Sequence, residues 1–348
     1  MPQFAGATQP PSAELPTEFS VVFTQFRTEK TVSHFSWNCS RLAQTARSMP
    51  LQIVHHPDYD AGFAVNHRFP MSKYPLLMEA LRIRGLAAPK ALSMPQPAPA
   101  TLLKLAHAGD YVEQVIACRV PERIEREIGF PVGPRVSRRA QLAAAGTVLA
   151  ARLALKHGIA CNAAGGSHHA RRAQGAGFCT FNDVAVASLA LLAEGAVENV
   201  LIVDLDVHQG DGTADILKDE PRAFTFSMHG ERNYPVRKIA SDLDVALPDG
   251  TSDDAYLERL AAILPDLSRQ RHWDIVFYNA GVDVHAEDRL GRLALTDDGL
   301  RARENMVIGH FREQGVPLCG VIGGGYSIDV PALAARHAML FEVASRYA

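Results

Sequence analysis

LIVDLDVHQGDG, Leu201 to Gly212, opens as an apolar run and closes on acids. An unbroken Leu-Ile-Val run suits a strand buried on both faces, as in parallel sheets. Asp204, Asp206 and His208 follow at every second position, and Asp211 stands in a glycine-flanked turn. Acids are costly in a core unless they are paired or hold a cation. Residues two apart on a strand share one face. The stretch therefore points to a carboxylate–imidazole site at the end of a central strand. A buried ion-pair network around a core histidine is the alternative.

Outward from this stretch, apolar runs alternate with helical patterns. The runs are LQIV (from Leu51), IACNAAGG (from Ile159), RAFTFSMH (from Arg222), DIVFYNAG (from Asp274) and PLCGVIGGG (from Pro317). Helices are expected at PLLMEALRIRG, with Pro75 in its first turn and Gly85 at its end, and at the long alanine-rich segment Pro134 to Gly158. Others are expected within 183–195, 252–267 and 298–311. The proline-rich stretch Ala87 to Pro99 reads as a loop. This alternation predicts an α/β fold: a single three-layer domain over 51–348 with a central parallel sheet flanked by helices. Residues 1–50 are rich in Pro, Thr, Ser and Gln without a sustained period, and read as a weakly ordered extension.

The 348 residues are 47% hydrophobic with a net charge of -3, so no nucleic-acid or anionic-membrane partner is expected. The basic patches Arg135 to Ala140 and Ala170 to Arg172 read as solvated surface. Five scattered cysteines without a C-x-x-C pair argue against a disulfide framework and favour a reducing compartment, so a cytoplasmic location is expected. No stretch approaches the roughly 18 apolar residues that span a bilayer, and the first residues do not read as a secretory signal.

Ligands in open parallel sheets bind beyond the carboxyl ends of the strands. Four runs place reactive residues there: His168 and His169 after IACNAAGG; Asp204, Asp206, His208 and Asp211; Asp283 after DIVFYNAG; and Tyr326 after PLCGVIGGG. Two Asp oxygens and one His nitrogen, from Asp206, His208 and Asp283, would make a three-ligand site with open positions, as in catalytic zinc centres. Adjacent His168 and His169 cannot easily both bind one ion. They fit acid–base groups oriented by the spare acids Asp204 and Asp211. The Walker lysine and Ser/Thr are absent after Gly323–Gly325, which argues against nucleotide binding. Phe178, in GAGFC, is expected to wall a narrow apolar channel; a core phenylalanine is the alternative.

GGSHHA, GFCTFNDVAVA, VDLDVHQGDG, YNAGVD and GGGY, in this order, resemble the histone deacetylases and related amidohydrolases of the arginase/deacetylase fold. YNAGVDVHAEDRLGRLALTDDGL, and Gln209 where class I enzymes carry a second histidine, are similar to class IV enzymes and to bacterial lysine deacylases. The resemblance implies one zinc ion on Asp206, His208 and Asp283. It pairs His168 with Asp204 and His169 with Asp211, and makes Tyr326 the phenol that polarises the carbonyl. Gly177, Phe178 and Tyr234 would line the acyl-lysine channel. A potassium ion is implied near Asp204, Asp206, His208, Ser227 and Met228. Two positions depart from the pattern. Asp211 stands where some class IV sequences carry Asn. HRFPMSK matches the N-terminal HPxxPxR stretch loosely, with Lys73 where arginine is common, which leaves the inner pocket open. The implied activity is hydrolysis of acyl-lysine in proteins or peptides; the rival substrate is an acetylated polyamine or another small acylated amine.

Overall fold

The computed structural model describes residues 49–348. Residues 1–48 of the expected extension lie outside the described residues.

The chain enters on β1 (Gln52–Val54), α1 (Lys73–Ile83), β2 (Leu92–Ser93), α2 (Ala100–Leu103), α3 (Gly109–Ile116) and α4 (Glu122–Ile128). Then come α5 (Pro134–His157), β3 (Ile159–Asn162), α6 (Asp183–Ala193), β4 (Val200–Asp204), α7 (Asp211–Leu217) and β5 (Ala223–Gly230). It closes with β6 (Leu243–Leu247), α8 (Asp253–Gln270), β7 (Ile275–Asn279), α9 (Asp297–Glu313), β8 (Leu318–Val321) and α10 (Val330–Ala344).

The eight strands form one parallel sheet in the order β2-β1-β3-β8-β7-β4-β5-β6. Adjacent residues of β8 show why it is covered on both sides. The Cys319 thiol faces the Thr147 carbonyl of α5, whereas a side chain at Gly320 would point at Leu340 of α10. Alternation thus sends successive residues into opposite helical layers. Helices α5 and α6 pack together, and α1, α10, α9 and α8 pack in series. The expected three-layer parallel architecture is what the chain adopts.

Some elements escaped the sequence pattern. The Ala87–Pro99 stretch is not wholly loop: it carries a short 3-10 turn and the two-residue edge strand β2. Strand β6 alternates buried Val245 and Leu247 with exposed neighbours, an edge pattern without an apolar run. Helix α1 begins at Lys73, so Pro75 sits at its third residue, still within the first turn where a missing N–H costs nothing. The described cysteines Cys118, Cys161, Cys179 and Cys319 are free. Among the described residues, no helix is long and apolar enough to cross a membrane.

Candidate active site

The decisive strand ends earlier than its pattern suggests. β4 stops at Asp204, so Asp206 and His208 do not alternate along a strand. Side chains bend the chain instead: Asp204 Oδ1 accepts from the Asp206 N–H at 3.2 Å, and Asp206 Oδ1 from the His208 N–H at 3.0 Å. Successive Asx-type turns of this kind compete with the ladder and curl the backbone. Asp211 is the first residue of α7 rather than part of a free turn.

The curl brings Asp206 and His208 against Asp283, which follows β7. One ligand atom from each lies within 4.8 Å of the others. His208 Nδ1 is 3.0 Å from Asp206 Oδ1 and 3.1 Å from Asp283 Oδ2. Backbone N–H groups hold the other carboxylate oxygens: Gly324 donates to Asp206 Oδ2 at 2.7 Å, and Val207 to Asp283 Oδ1 at 2.9 Å. Position 324 admits only glycine, because a Cβ there would strike both carboxylates. Burial and the charge of Asp206 raise the Asp283 carboxyl above its ordinary range. Burial disfavours the His208 imidazolium, but the two acids outweigh it and pull its pKa up to about 10. The cluster therefore demands a positive charge at its centre. Two hard oxygens and an imidazole nitrogen fit a divalent ion such as zinc, whose binding would displace the proton.

Both histidines of SHHA are buried, and each is held at Nδ1. His168 meets Asp204 Oδ2 at 2.7 Å, and His169 meets Asp211 Oδ1 at 2.6 Å. The pairs differ in what else touches the acid. Asp204 Oδ1 receives neutral donors, the Asn279 amide at 2.9 Å and the Asp206 N–H. Asp211 Oδ2 receives the Arg171 guanidinium through Nε at 3.0 Å and a terminal nitrogen at 2.6 Å. Burial opposes charge on His168, yet Asp204 and Asp206 outweigh it and raise its pKa to about 9. Burial and the neighbouring His168 charge lower His169 to about 4 despite Asp211. Their surroundings thus push the two adjacent imidazoles in opposite directions.

Tyr326 follows β8, and its N–H donates to Asp288 Oδ2 at 2.7 Å. Asp288 also caps the N–H groups of Leu290 and Gly291, so it ties the β7 and β8 loops together. The Phe178 ring lies 5.6 Å from the Tyr326 ring, and the Tyr234 ring stands edge-on to His169 at 4.8 Å. Gly177 and Phe178 both have positive φ, +52° and +67°. A Cβ at 177 would collide with the His169 ring, which accounts for the glycine there. Phe178 is partly buried: it packs against the hydrophobic core and also lines the cavity. Gly177, Phe178, Tyr234, His169, His208 and Tyr326 share one cavity of about 400 Å³.

A much smaller cavity, about 20 Å³, lies behind it. Lys73 is fully buried nearby, with Nζ 3.3 Å from the Gly323 carbonyl and over the Phe69, Tyr74 and Tyr326 rings. Arg139 lines this inner space, donating to the Tyr59 carbonyl and the Tyr74 hydroxyl. The two patches expected to be solvated surface therefore need correction. Arg139 is buried, and Arg171 is drawn in by the Asp211 carboxylate. A run of charges carries no sign of which member faces inward. Asn279, Asp288 and Asp183 also escaped attention. Asp183 accepts from Ser167 N–H at 2.8 Å and so anchors the loop that carries both histidines. For the potassium set, strand register places Ser227 opposite Asp204, and Met228 is buried next to it; the Ser227 hydroxyl contacts His229 Nδ1 at 3.0 Å.

The histone deacetylase domain family matches residues 67–341. An uncharacterized protein of Picosynechococcus sp. is 46% identical over 85% of this chain and 99% of its own length. Histone deacetylase 2 of Arabidopsis thaliana is 31% identical, covering 79% of this chain and 74% of that protein. The crystal structure of an HDAC homologue from Aquifex aeolicus has a TM-score of 0.71 at 25% identity, over 85% of this chain and 84% of that one. Acetylpolyamine aminohydrolase from Burkholderia pseudomallei, at 23% identity and a TM-score of 0.69 over 84% and 98% of the two chains, shares the fold. With a domain match over most of its length and a named relative of this similarity, the chain belongs to the histone deacetylase family.

Proposed function

We propose that this protein is a zinc-dependent hydrolase that removes acyl groups, acetyl or longer, from lysine side chains of proteins or peptides. The observation that carries this is the pairing of two buried His–Asp dyads of opposite character with the Asp206–His208–Asp283 cluster in one cavity. Zinc held by Asp206, His208 and Asp283 would supply Lewis acidity toward an amide carbonyl and render a water more acidic. His169 donates its Nδ1–H in a hydrogen bond to the Asp211 carboxylate, which leaves Nε2 free to accept a proton from the attacking water. The same nitrogen returns that proton to the leaving amine. His168 stays charged and stabilises negative charge as it develops. Burial and the nearby Asp206 and Asp283 push the Tyr326 hydroxyl far above its usual range, so it remains a donor to the oxyanion. Gly177, Phe178 and Tyr234 wall the aliphatic stem of the substrate. A potassium ion near Asp204, Ser227 and the backbone at Asp206, His208 and Met228 belongs to the same proposal.

The test is turnover of purified, zinc-quantified enzyme on acyl-lysine peptides of graded acyl length beside acetylated polyamines. Turnover of polyamines alone would overturn the lysine assignment in favour of the small-amine substrate.

Tyr326→Phe keeps the ring and removes one donor. A fall in kcat of about 10²–10³ is expected, by analogy with loss of an oxyanion-hole donor, with zinc content and thermal midpoint unchanged. Near-normal turnover would mean that another group holds the oxyanion.

Arg171→Gln removes a positive charge from Asp211. The acid then holds more negative charge beside His169, which favours the imidazolium and raises its pKa. The acid limb of the kcat/KM profile should move to higher pH by roughly one unit. An unmoved limb would remove His169 as the titrating base.

A further inference from the structure

Four arginines line the mouth of the active-site cavity, each from a different segment. Arg68 precedes α1, Arg126 lies in the last turn of α4, Arg232 follows β5, and Arg292 lies in the loop after Asp283. Among the described residues, Glu127 is the one carboxylate in the same wall. The chain as a whole is net acidic at -3, so the excess is local.

Nearby acids neutralise it incompletely. Arg126 pairs with Glu122 at 2.8 Å, and Arg232 and Arg292 share the single carboxylate of Asp249 at 3.8 and 3.2 Å. Neither Glu122 nor Asp249 lines the cavity. The guanidiniums remain largely open to solvent, with Arg232 75% and Arg292 56% exposed. Exposed pairs of this kind are weak and exchange readily for another carboxylate. The guanidinium fork fits that group in two parallel hydrogen bonds.

The cavity runs from this mouth to His169, His208 and Tyr326. Whatever occupies the mouth is therefore the part of the substrate that flanks the scissile amide. We infer that the protein selects acyl-lysine in peptides with acidic side chains beside the modified lysine, and disfavours cationic acyl-polyamines. This inference rests on the hydrolase proposed above and adds the substrate's charge class.

The test uses the full-length zinc-loaded enzyme and two peptides of equal length and acyl group, with glutamates or lysines flanking the acyl-lysine, plus an uncharged acyl-lysine reporter and an acetylated polyamine. At low salt, kcat/KM for the glutamate peptide should exceed that for the lysine peptide by about tenfold or more, mostly through KM, with the polyamine poorer still. Rim charges act on encounter and are screened, so the ratio should shrink to a few-fold at ~0.5 M salt. The triple variant Arg68→Glu, Arg232→Glu, Arg292→Glu should reverse the preference and keep its rate on the uncharged reporter. Equal use of the two peptides by the unaltered enzyme, or a variant that is active on the reporter and retains the acidic preference, overturns the inference while leaving the hydrolase standing. Failure of the unaltered enzyme on every acyl-lysine substrate overturns the lysine assignment, and failure on the acetylated polyamine as well overturns the hydrolase itself.

Discussion

Asp206→Ala and His208→Ala are expected to lose bound zinc and amide hydrolysis together, with turnover falling to background. Each removes one of three ligand groups gathered within 4.8 Å, and no other described residue completes such a cluster. Two readouts separate metal loss from unfolding. Metal analysis should find one zinc per chain in the unaltered protein and far less in either variant. Added zinc should raise the thermal midpoint of the metal-stripped unaltered protein, since a ligand that binds only the folded state stabilises it by mass action. Neither variant should show that rise. Two ions per chain, or full activity after thorough metal removal, would sink the single-zinc assignment.

The second large effect separates the adjacent histidines. His169→Ala should abolish turnover almost entirely, because it removes the imidazole proposed to accept the water proton. His168→Ala should leave a measurable remnant, since His168 acts through its charge. The inequality follows from what surrounds each imidazole. Asp204 and Asp206 together favour charge on His168, whereas burial and the neighbouring His168 disfavour it on His169 despite Asp211. Asp211→Asn should follow His169→Ala in weaker form. Asp204→Asn should do more damage, because its carboxylate also caps the Asp206 N–H and shapes the metal turn. The comparison is kcat/KM on one acyl-lysine peptide, with zinc confirmed in each variant. A deader His168→Ala enzyme at equal zinc content would exchange the two roles.

The chain's own pattern reached far into this fold. Apolar runs without alternation mark strands covered on both faces, and helical periods between them leave parallel pairing as the economical solution. The candidate site residues were legible because unpaired acids are unfavourable at the end of a buried strand. Other features were not. Strand β6 shows only edge alternation, and Arg139 and Arg171 look like any surface charge until their partners arrive from elsewhere. The turn that joins Asp206 to His208 reads as strand in the sequence, because side-chain capping leaves the residue spacing untouched.

Sequence by itself determined the fold class, the order of apolar strands and helices and the kinds of side chain that follow the strands, all set by local composition and period. Tertiary structure alone decided which ends meet. The site-bearing strands β3, β8, β7 and β4 are neighbours in the sheet although more than a hundred residues separate some of them along the chain. Strand order depends on how the helical crossovers pack. That packing is a property of the whole core, so no single stretch encodes which carboxylate faces which imidazole.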